Sequence, residues 1–297
     1  MWRFLPRDAD LSLAFEGQYN YGLIALSVSL AVIAAFTALV VLERVSATKS
    51  GRGKLFWIAL GALCLGFGIW SMHFIGMLGF QLPVPVQYDP VLTILSFFPA
   101  LIASTLALIF LVYQRNRLPY LLISGVLIAL GIGSMHYTGM EAMHAFGMSM
   151  WYDPLRFAAS LLIAVLLAIL ALLVKTRFAA KFKRYENLLA AVVLGLAVSA
   201  MHYVAMSATL FLPGTGHTLT GLPINNTFLI AGIASVFVAV VMIVIVSIII
   251  DRRLKYVEIS FSLVALPLAL IVIAGSLIYA SSVFVRHIEH NTEQNVE

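Results

Sequence analysis

The sequence is poor in charged residues and almost without cysteine. Asp, Glu, Lys and Arg make up 10% of its 297 residues, against about a quarter in a soluble domain. The mean hydropathy is +1.02. This composition excludes an ordinary soluble enzyme or binding domain and predicts an integral membrane protein. The single cysteine, Cys64, excludes both a disulfide framework and a thiolate metal cluster.

Motifs that indicate catalysis are also absent. The sequence has no phosphate-binding Walker loop, no Ser-His-Asp order and no paired carboxylates within an apolar run, so we expect no enzyme activity from this chain itself. Its pI near 9.4 does not indicate a nucleic-acid partner. Most of the basic residues lie in short segments between apolar runs, where they act as topology signals.

Long apolar runs are present instead. Each is close to or above the ~20 residues that a membrane-crossing helix needs. We predict eight spans, near 20–42, 55–80, 90–113, 119–144, 155–174, 186–212, 225–250 and 259–285. Runs of this length favour helices over a barrel, whose strands would alternate over about 10 residues.

The segments between the spans alternate in charge. Those near 43–54, 114–118, 175–186 and 251–258 hold 14 of the 18 Lys and Arg residues, which predicts that they face the cytoplasm. Both termini are then extracytoplasmic. The expected organisation is an N-terminus at 1–19, a seven-helix domain at 20–250, a connecting loop with the eighth span at 251–285, and a tail at 286–297 that could lead to a further module.

One short pattern recurs three times within these spans. It reads SMHFIGM at 71–77, SMHYTGM at 134–140 and AMHYVAM at 200–206. Its histidines are 63 and 66 positions apart, which is the length of two spans with their loops. Tyr-Asp-Pro at 88–90 and 152–154 is typical of a helix start, with Asp as the N-cap and Pro at the first helical position.

Two helices per unit restore the same orientation across the membrane. The repeats near 20–80, 90–144 and 155–212 should therefore be parallel and related by a pseudo-threefold axis along the membrane normal. The helix at 225–250 and the eighth span are additions to this repeat. We predict an all-α membrane bundle of seven to eight helices with its three motif histidines at one depth, seven to ten residues before the outer helix ends, or ~10–15 Å below the surface.

Each motif histidine is followed four positions later by a methionine. The two side chains are about 40° apart around a helix, so both can reach one ligand. Imidazole and thioether together suit copper, above all Cu(I). The candidate metal ligands are His73, Met77, His136, Met140, His202 and Met206, with Met72, Met135, Met201 and His144 as weaker candidates. A histidine in an apolar helix can also be a hydrogen-bonded interior residue, but three copies in register favour a functional site.

The Met-His-Tyr-Thr sequence at 135–138, with its variants at 72–75 and 201–204, resembles the MHYT domain of bacterial membrane signalling proteins. The resemblance covers about 17–250. It implies a multi-pass sensor in the bacterial inner membrane that binds copper through the Met and His of each motif near the extracytoplasmic face. The ligand it implies is a diatomic gas such as oxygen, carbon monoxide or nitric oxide.

The resemblance also implies a fused or associated cytoplasmic output domain, namely a diguanylate cyclase or phosphodiesterase acting on cyclic-di-GMP, or a kinase. Ala205 departs from the family pattern, in which glycine is usual. Three other functions stay open on the sequence: a copper carrier or transporter, a haem protein with two axial histidines, and a scaffold in which the motifs are structural. The lipid bilayer is an expected partner, and a homodimer is left open.

Overall fold

The computed structural model of this chain describes residues 3–5, 12, 14–113, 117–176, 185–214 and 226–253. Within this part, seven helical segments are long and apolar enough to cross a membrane, with Pro90–Tyr113 counted as one. They correspond to the first seven predicted spans. The predicted eighth span at 259–285 and the tail at 286–297 lie outside the described residues. The chain divides into two compact units, Met1–Pro223 and Ile224–Glu297.

The helix bounds follow the predicted spans closely. In chain order the helices are α1 (Tyr21–Ala47), α2 (Gly51–Leu78), α3 (Pro90–Leu95), α4 (Phe97–Tyr113), α5 (Leu118–Glu141), α6 (Pro154–Thr176), α7 (Glu186–Ser207) and α8 (Asn226–Arg253). The side chains of Asn20 and Asp89 accept hydrogen bonds from first-turn amides of α1 and α3. Asp153 does the same for the amide of Arg156 in α6. Asp89 and Asp153 are the predicted N-caps.

The third span differs from the prediction of one continuous helix over 90–113. It is interrupted at Ser96, so that α3 and α4 are separate helices. Pro99 explains the break, because proline has no amide proton to donate and its ring collides with the carbonyl four residues earlier, at Leu95.

In the first unit, α2, α5 and α7 form the centre, and each contacts the other two. Around them lie α1, α4 and α6. Each outer helix packs against the inner helix of its own repeat and against the inner helix of a neighbouring one: α1 on α7, α4 on α2, and α6 on α5. This arrangement confirms the predicted all-α bundle of three two-helix repeats.

Six short strands, which the sequence analysis did not predict, cover one end of this bundle. They are β1 (Gln18–Tyr19), β2 (Phe80–Gln81), β3 (Val86–Tyr88), β4 (Met143–Ala145), β5 (Met148–Tyr152) and β6 (Thr209–Pro213). They pair antiparallel as β1 with β2, β3 with β4, and β5 with β6. In every repeat, the strand before the outer helix pairs with the strand after the inner helix. We call this end the strand end.

The opposite end, where α1 is followed by α2, is called the loop end. Here the side chain of Lys175, in the last turn of α6, is 8% exposed. Its ammonium group lies 2.8 Å from a carboxylate oxygen of Glu43 in α1 and 2.8 Å from one of Glu186 in α7. It also donates to the side-chain oxygen of Asn187. This network joins the first repeat to the third.

Candidate metal centre

The three motif histidines lie in the middle of the bundle, close to its strand end. Each is five residues before the last residue of its helix, in α2, α5 and α7 respectively. The predicted distance of seven to ten residues was wrong, because each inner helix ends earlier and is followed by a short strand. His73 and His136 are 0% exposed and His202 is 2% exposed.

Their imidazole rings meet through one nitrogen each. The Nδ1 atoms of His73 and His136 are 3.1 Å apart, and both other Nδ1 pairs are 3.2 Å apart. We call this arrangement the histidine triangle. Its centre is about 1.8 Å from every nitrogen, close to the ~2.0–2.1 Å of a metal–imidazole bond. The centre of the triangle is therefore surrounded by three nitrogens, one from each repeat.

Hydrogen bonds cannot satisfy this triangle. A neutral Nδ1 either carries a proton and donates, or carries a lone pair and accepts. In a ring of three nitrogens, at least two neighbours must be of the same kind, so at least one contact brings two N–H groups or two lone pairs together. A cation at the centre removes the conflict, because all three lone pairs can then point inward. The donor set fits a metal that binds imidazole, such as copper or zinc.

The far side of each ring is also unusual. The Nε2 atoms of His73, His136 and His202 are buried without a hydrogen-bond partner. A Cβ added at Gly139 would collide with the ring of His73, and one at Gly76 would collide with the ring of His202. The glycines thus make room for the imidazole of another repeat. This explains a motif position that the sequence analysis noted but did not interpret, and Ala205 occupies it in the third copy.

The later methionine of each motif lies on the strand side of the triangle. Met77, Met140 and Met206 are 0–3% exposed and belong to one packed cluster. Four residues correspond to ~6 Å along a helix, so these thioethers form the next layer outward. The earlier methionines Met72, Met135 and Met201 are 0–1% exposed.

The predicted fourth span, 119–144, placed His144 at its end, but α5 ends at Glu141. His144 lies on β4 opposite Gln87. Its neighbours Met143 and Ala145 are buried in the methionine cluster, and alternate residues of a strand face opposite sides. Its side chain therefore faces away from that cluster, and its role as a ligand stays a prediction.

A layer of aliphatic side chains lies on the loop side of the triangle. Ile69, Ile132 and Val198 stand four residues before the three histidines and so share their helix faces. They are 1–2% exposed. No charged or metal-binding group belongs to this layer, which separates the triangle from the loop end.

The tyrosines of the motif face outward, towards the surrounding helices. The hydroxyl of Tyr203 lies 2.8 Å from Oγ of Ser27, and that of Tyr137 lies 2.9 Å from Oγ of Ser160. Both serines donate their own proton to a backbone carbonyl three residues earlier. The tyrosine is therefore the donor to the serine.

Sequence reasoning missed these serines, although a signal for them exists. Ser27, Ser96 and Ser160 each follow a helix N-cap by seven positions. In the first motif Phe74 has no hydroxyl, and the indole Nε1 of Trp70 donates to Ser96 instead, at 3.2 Å. Every repeat thus has a buried or partly buried hydrogen bond from its motif helix to the outer helix of the next.

Known proteins resemble this chain over most of its length. A family model described as MHYT, bacterial signalling protein N terminal repeat, matches residues 66–124 and 130–190. The chain is 40% identical over 241 residues to the bifunctional diguanylate cyclase/cyclic di-GMP phosphodiesterase MucR of Pseudomonas aeruginosa, covering 80% of this chain and 35% of that protein. It is 40% identical over 194 residues to the cyclic di-GMP phosphodiesterase NbdA of the same organism, covering 64% and 24%. The signaling protein YkoW of Bacillus subtilis is 31% identical over 199 residues, covering 65% and 24%.

The chain therefore spans between 24% and 35% of the length of these relatives. No solved structure matches it. The two matched ranges contain His73 and His136, and His202 lies in the third copy beyond them. On these matches and on the repeated motif, the chain belongs to the MHYT family of bacterial signalling proteins.

Proposed function

We propose that this chain is a membrane-embedded sensor domain in which His73, His136 and His202 bind one copper ion. The observation that carries the proposal is the histidine triangle, whose three nitrogens cannot satisfy one another and surround a position of metal-binding size. Met77, Met140 and Met206 favour copper over zinc, because a thioether layer stands next to the nitrogens and soft ligands select Cu(I). When bound, copper supplies a redox-active centre that can take a diatomic gas.

The fold gives this site a way to report its state. The three ligands come from three repeats, so a change in ligation moves three inner helices together. The hydrogen bonds from Tyr137 to Ser160 and from Tyr203 to Ser27 join the inner helices to outer ones at this level. We infer that a small displacement reaches the loop end by this route, in the direction of an output domain.

The orientation of the domain follows from charge. Basic residues concentrate in the segments at the loop end, so the positive-inside rule puts the triangle near the extracytoplasmic face of a bacterial inner membrane. Residues 20–250 are the sensor domain in this proposal. The names of MucR and NbdA associate those proteins with cyclic di-GMP. We infer that the output is a cyclic-di-GMP enzyme, fused or associated, and that this chain is not itself catalytic.

Two alternatives are less well supported. A transporter needs ligands along the whole path, whereas Ile69, Ile132 and Val198 separate the triangle from the loop end. A haem needs its two axial histidines on opposite faces of a macrocycle, with nitrogens about 4 Å apart across the iron. Nitrogens 3.1–3.2 Å apart leave no room for that ring.

The test is metal analysis of the chain purified in nanodiscs without chelators, followed by infrared spectroscopy of the reduced protein under carbon monoxide. We expect copper at the triangle and a band from bound carbon monoxide, and His136→Ala should lose this band and the one equivalent of copper that the triangle holds. Met242→Leu, at a 51% exposed position on α8, is the control and should retain both. Zinc in place of copper would overturn the copper assignment, and a His136→Ala protein that keeps both the carbon monoxide band and its full metal content would overturn the site.

A further inference from the structure

Sulfur is concentrated at the strand end of the bundle. Met77, Met140 and Met206 from the inner helices meet Met143 of β4 and Met148 of β5 in one cluster. All five are between 0% and 6% exposed. We call these five residues the thioether cluster. They are five of the eleven methionines in the chain.

The composition of this cluster is not that of an ordinary core. Its other buried members are Ala145 and Phe211, and it contains no buried leucine, isoleucine or valine. Elsewhere in the described core these three residues together with alanine make up most of the buried apolar side chains. A flexible methionine fills an occasional gap, but a packed interior is normally built from residues with better-defined rotamers. The concentration of five methionines among the seven buried residues of one cluster therefore requires an explanation other than gap filling.

The histidine triangle does not use up these sulfurs. It already supplies three nitrogens, so a four-coordinate ion there has room for one further ligand. At least four thioethers remain. Met143 and Met148 are moreover outside the repeated motif, on β4 of the second repeat and β5 of the third.

The cluster has a path to the surface. Met150 packs against it and is partly exposed. It stands two residues after Met148 on β5 and so shares its face of the strand. Between β4 and β5 the chain turns at Gly147, whose φ of +67° suits glycine and tightens the turn. Sulfur ligands thus extend from the edge of the strand end inward to the layer beside the triangle.

We propose that the thioether cluster is a second metal site, specific for a soft monovalent ion such as Cu(I), with Met150 as its outer ligand. It lies between the surface and the histidine triangle. It includes no histidine. The ion that it binds is the one that would pass on to the triangle. The choice of copper rests on the proposed function, but the site itself stands on its own residues.

The test uses Ag(I), a soft monovalent ion without redox chemistry, on the whole chain in nanodiscs. We expect the unaltered protein to bind two equivalents of Ag(I). The double variant Met143→Leu/Met148→Leu, which preserves apolar volume, should bind one. Met242→Leu is the matched control, because Met242 lies on α8 and is 51% exposed; it should bind two. A thermal melt shows whether each variant is folded.

A second variant separates this inference from the proposed function. Replacing all three triangle histidines by alanine should leave one Ag(I) with only sulfur neighbours in X-ray absorption. If that variant binds Ag(I) through sulfur while the unaltered protein binds no more than it does, the triangle proposal fails and the thioether site stands. If the Met143→Leu/Met148→Leu variant is folded and still binds two equivalents, the thioether site is wrong.

Discussion

The two ends of the six-span bundle have buried polar groups of different kinds. At the strand end, each of the three repeats contributes one histidine, and their Nδ1 atoms lie within 3.2 Å of one another. At the loop end, a single buried ammonium group, that of Lys175, is shared by carboxylates of Glu43 and Glu186. The first arrangement follows the threefold repeat, whereas the second occurs between the first and third repeats.

This difference separates stability from ligand binding. The Lys175 network is satisfied as it stands, since the ammonium group donates to two carboxylates and one amide oxygen. The histidine triangle is unsatisfied without a cation, because its nitrogens compete for the same role. We therefore expect changes at the loop end to alter the stability of the fold and changes at the triangle to alter metal affinity. Loop-end changes should have little effect on metal affinity, and triangle changes little effect on stability.

The largest effect is expected for Lys175→Ala. Removing the ammonium takes its positive charge away from two neighbouring carboxylates, and breaking a buried pair costs about 3–5 kcal/mol. Because Glu43 is 47% exposed, the lower part of this range applies. Lys49→Ala, at an exposed position, should be neutral. Unfolding in detergent measures both. A Lys175→Ala protein as stable as the parent would show that the network does not hold α1 to α6 and α7.

Metal affinity should respond to each triangle histidine. Loss of a second-shell partner typically costs 10–100-fold in affinity, so loss of a ligand such as His136 should cost at least about 100-fold. His73→Ala and His202→Ala should match it to within about threefold, since the triangle is nearly equilateral. Competition titration with a chromogenic copper chelator measures all three. One variant with parent-like affinity would exclude a three-nitrogen site.

A smaller effect is expected when the space for a ring is filled. In Gly139→Ala the new Cβ would meet the imidazole of His73, and such overpacking costs about 1–3 kcal/mol. Displacing this ring should lower copper affinity roughly tenfold. Gly51→Ala is the control, since a Cβ there meets no atom within 4 Å. Equal affinities for the two variants would mean that the ring position does not depend on this glycine.

Local chemistry explains which features could be predicted. The Asp89 and Asp153 caps are visible because a cap and its helix are adjacent in sequence, and the common depth of the histidines follows from the repeat. The strands are two to five residues long and pair with partners about 60 positions away, so no periodicity indicates them. For the same reason the end of α5 at Glu141, and with it the position of His144, could not be fixed.

The smallest effect tests the bond between Tyr137 and Ser160, which crosses from the second repeat to the third at the level of the triangle. Tyr137→Phe removes one buried hydrogen bond, worth about 0.5–1.5 kcal/mol and nearer ~0.6 kcal/mol between membrane helices. We expect a small loss of stability, unchanged copper affinity and a weaker output in a full-length signalling protein that carries this domain.

Tyr113→Phe, at a 62% exposed position, controls for the loss of a phenol. If Tyr137→Phe lowers copper affinity as much as His136→Ala, the phenol is a ligand and does not serve to connect helices. Tyr203→Phe should repeat the result through Ser27, because the two bonds are equivalent under the threefold repeat.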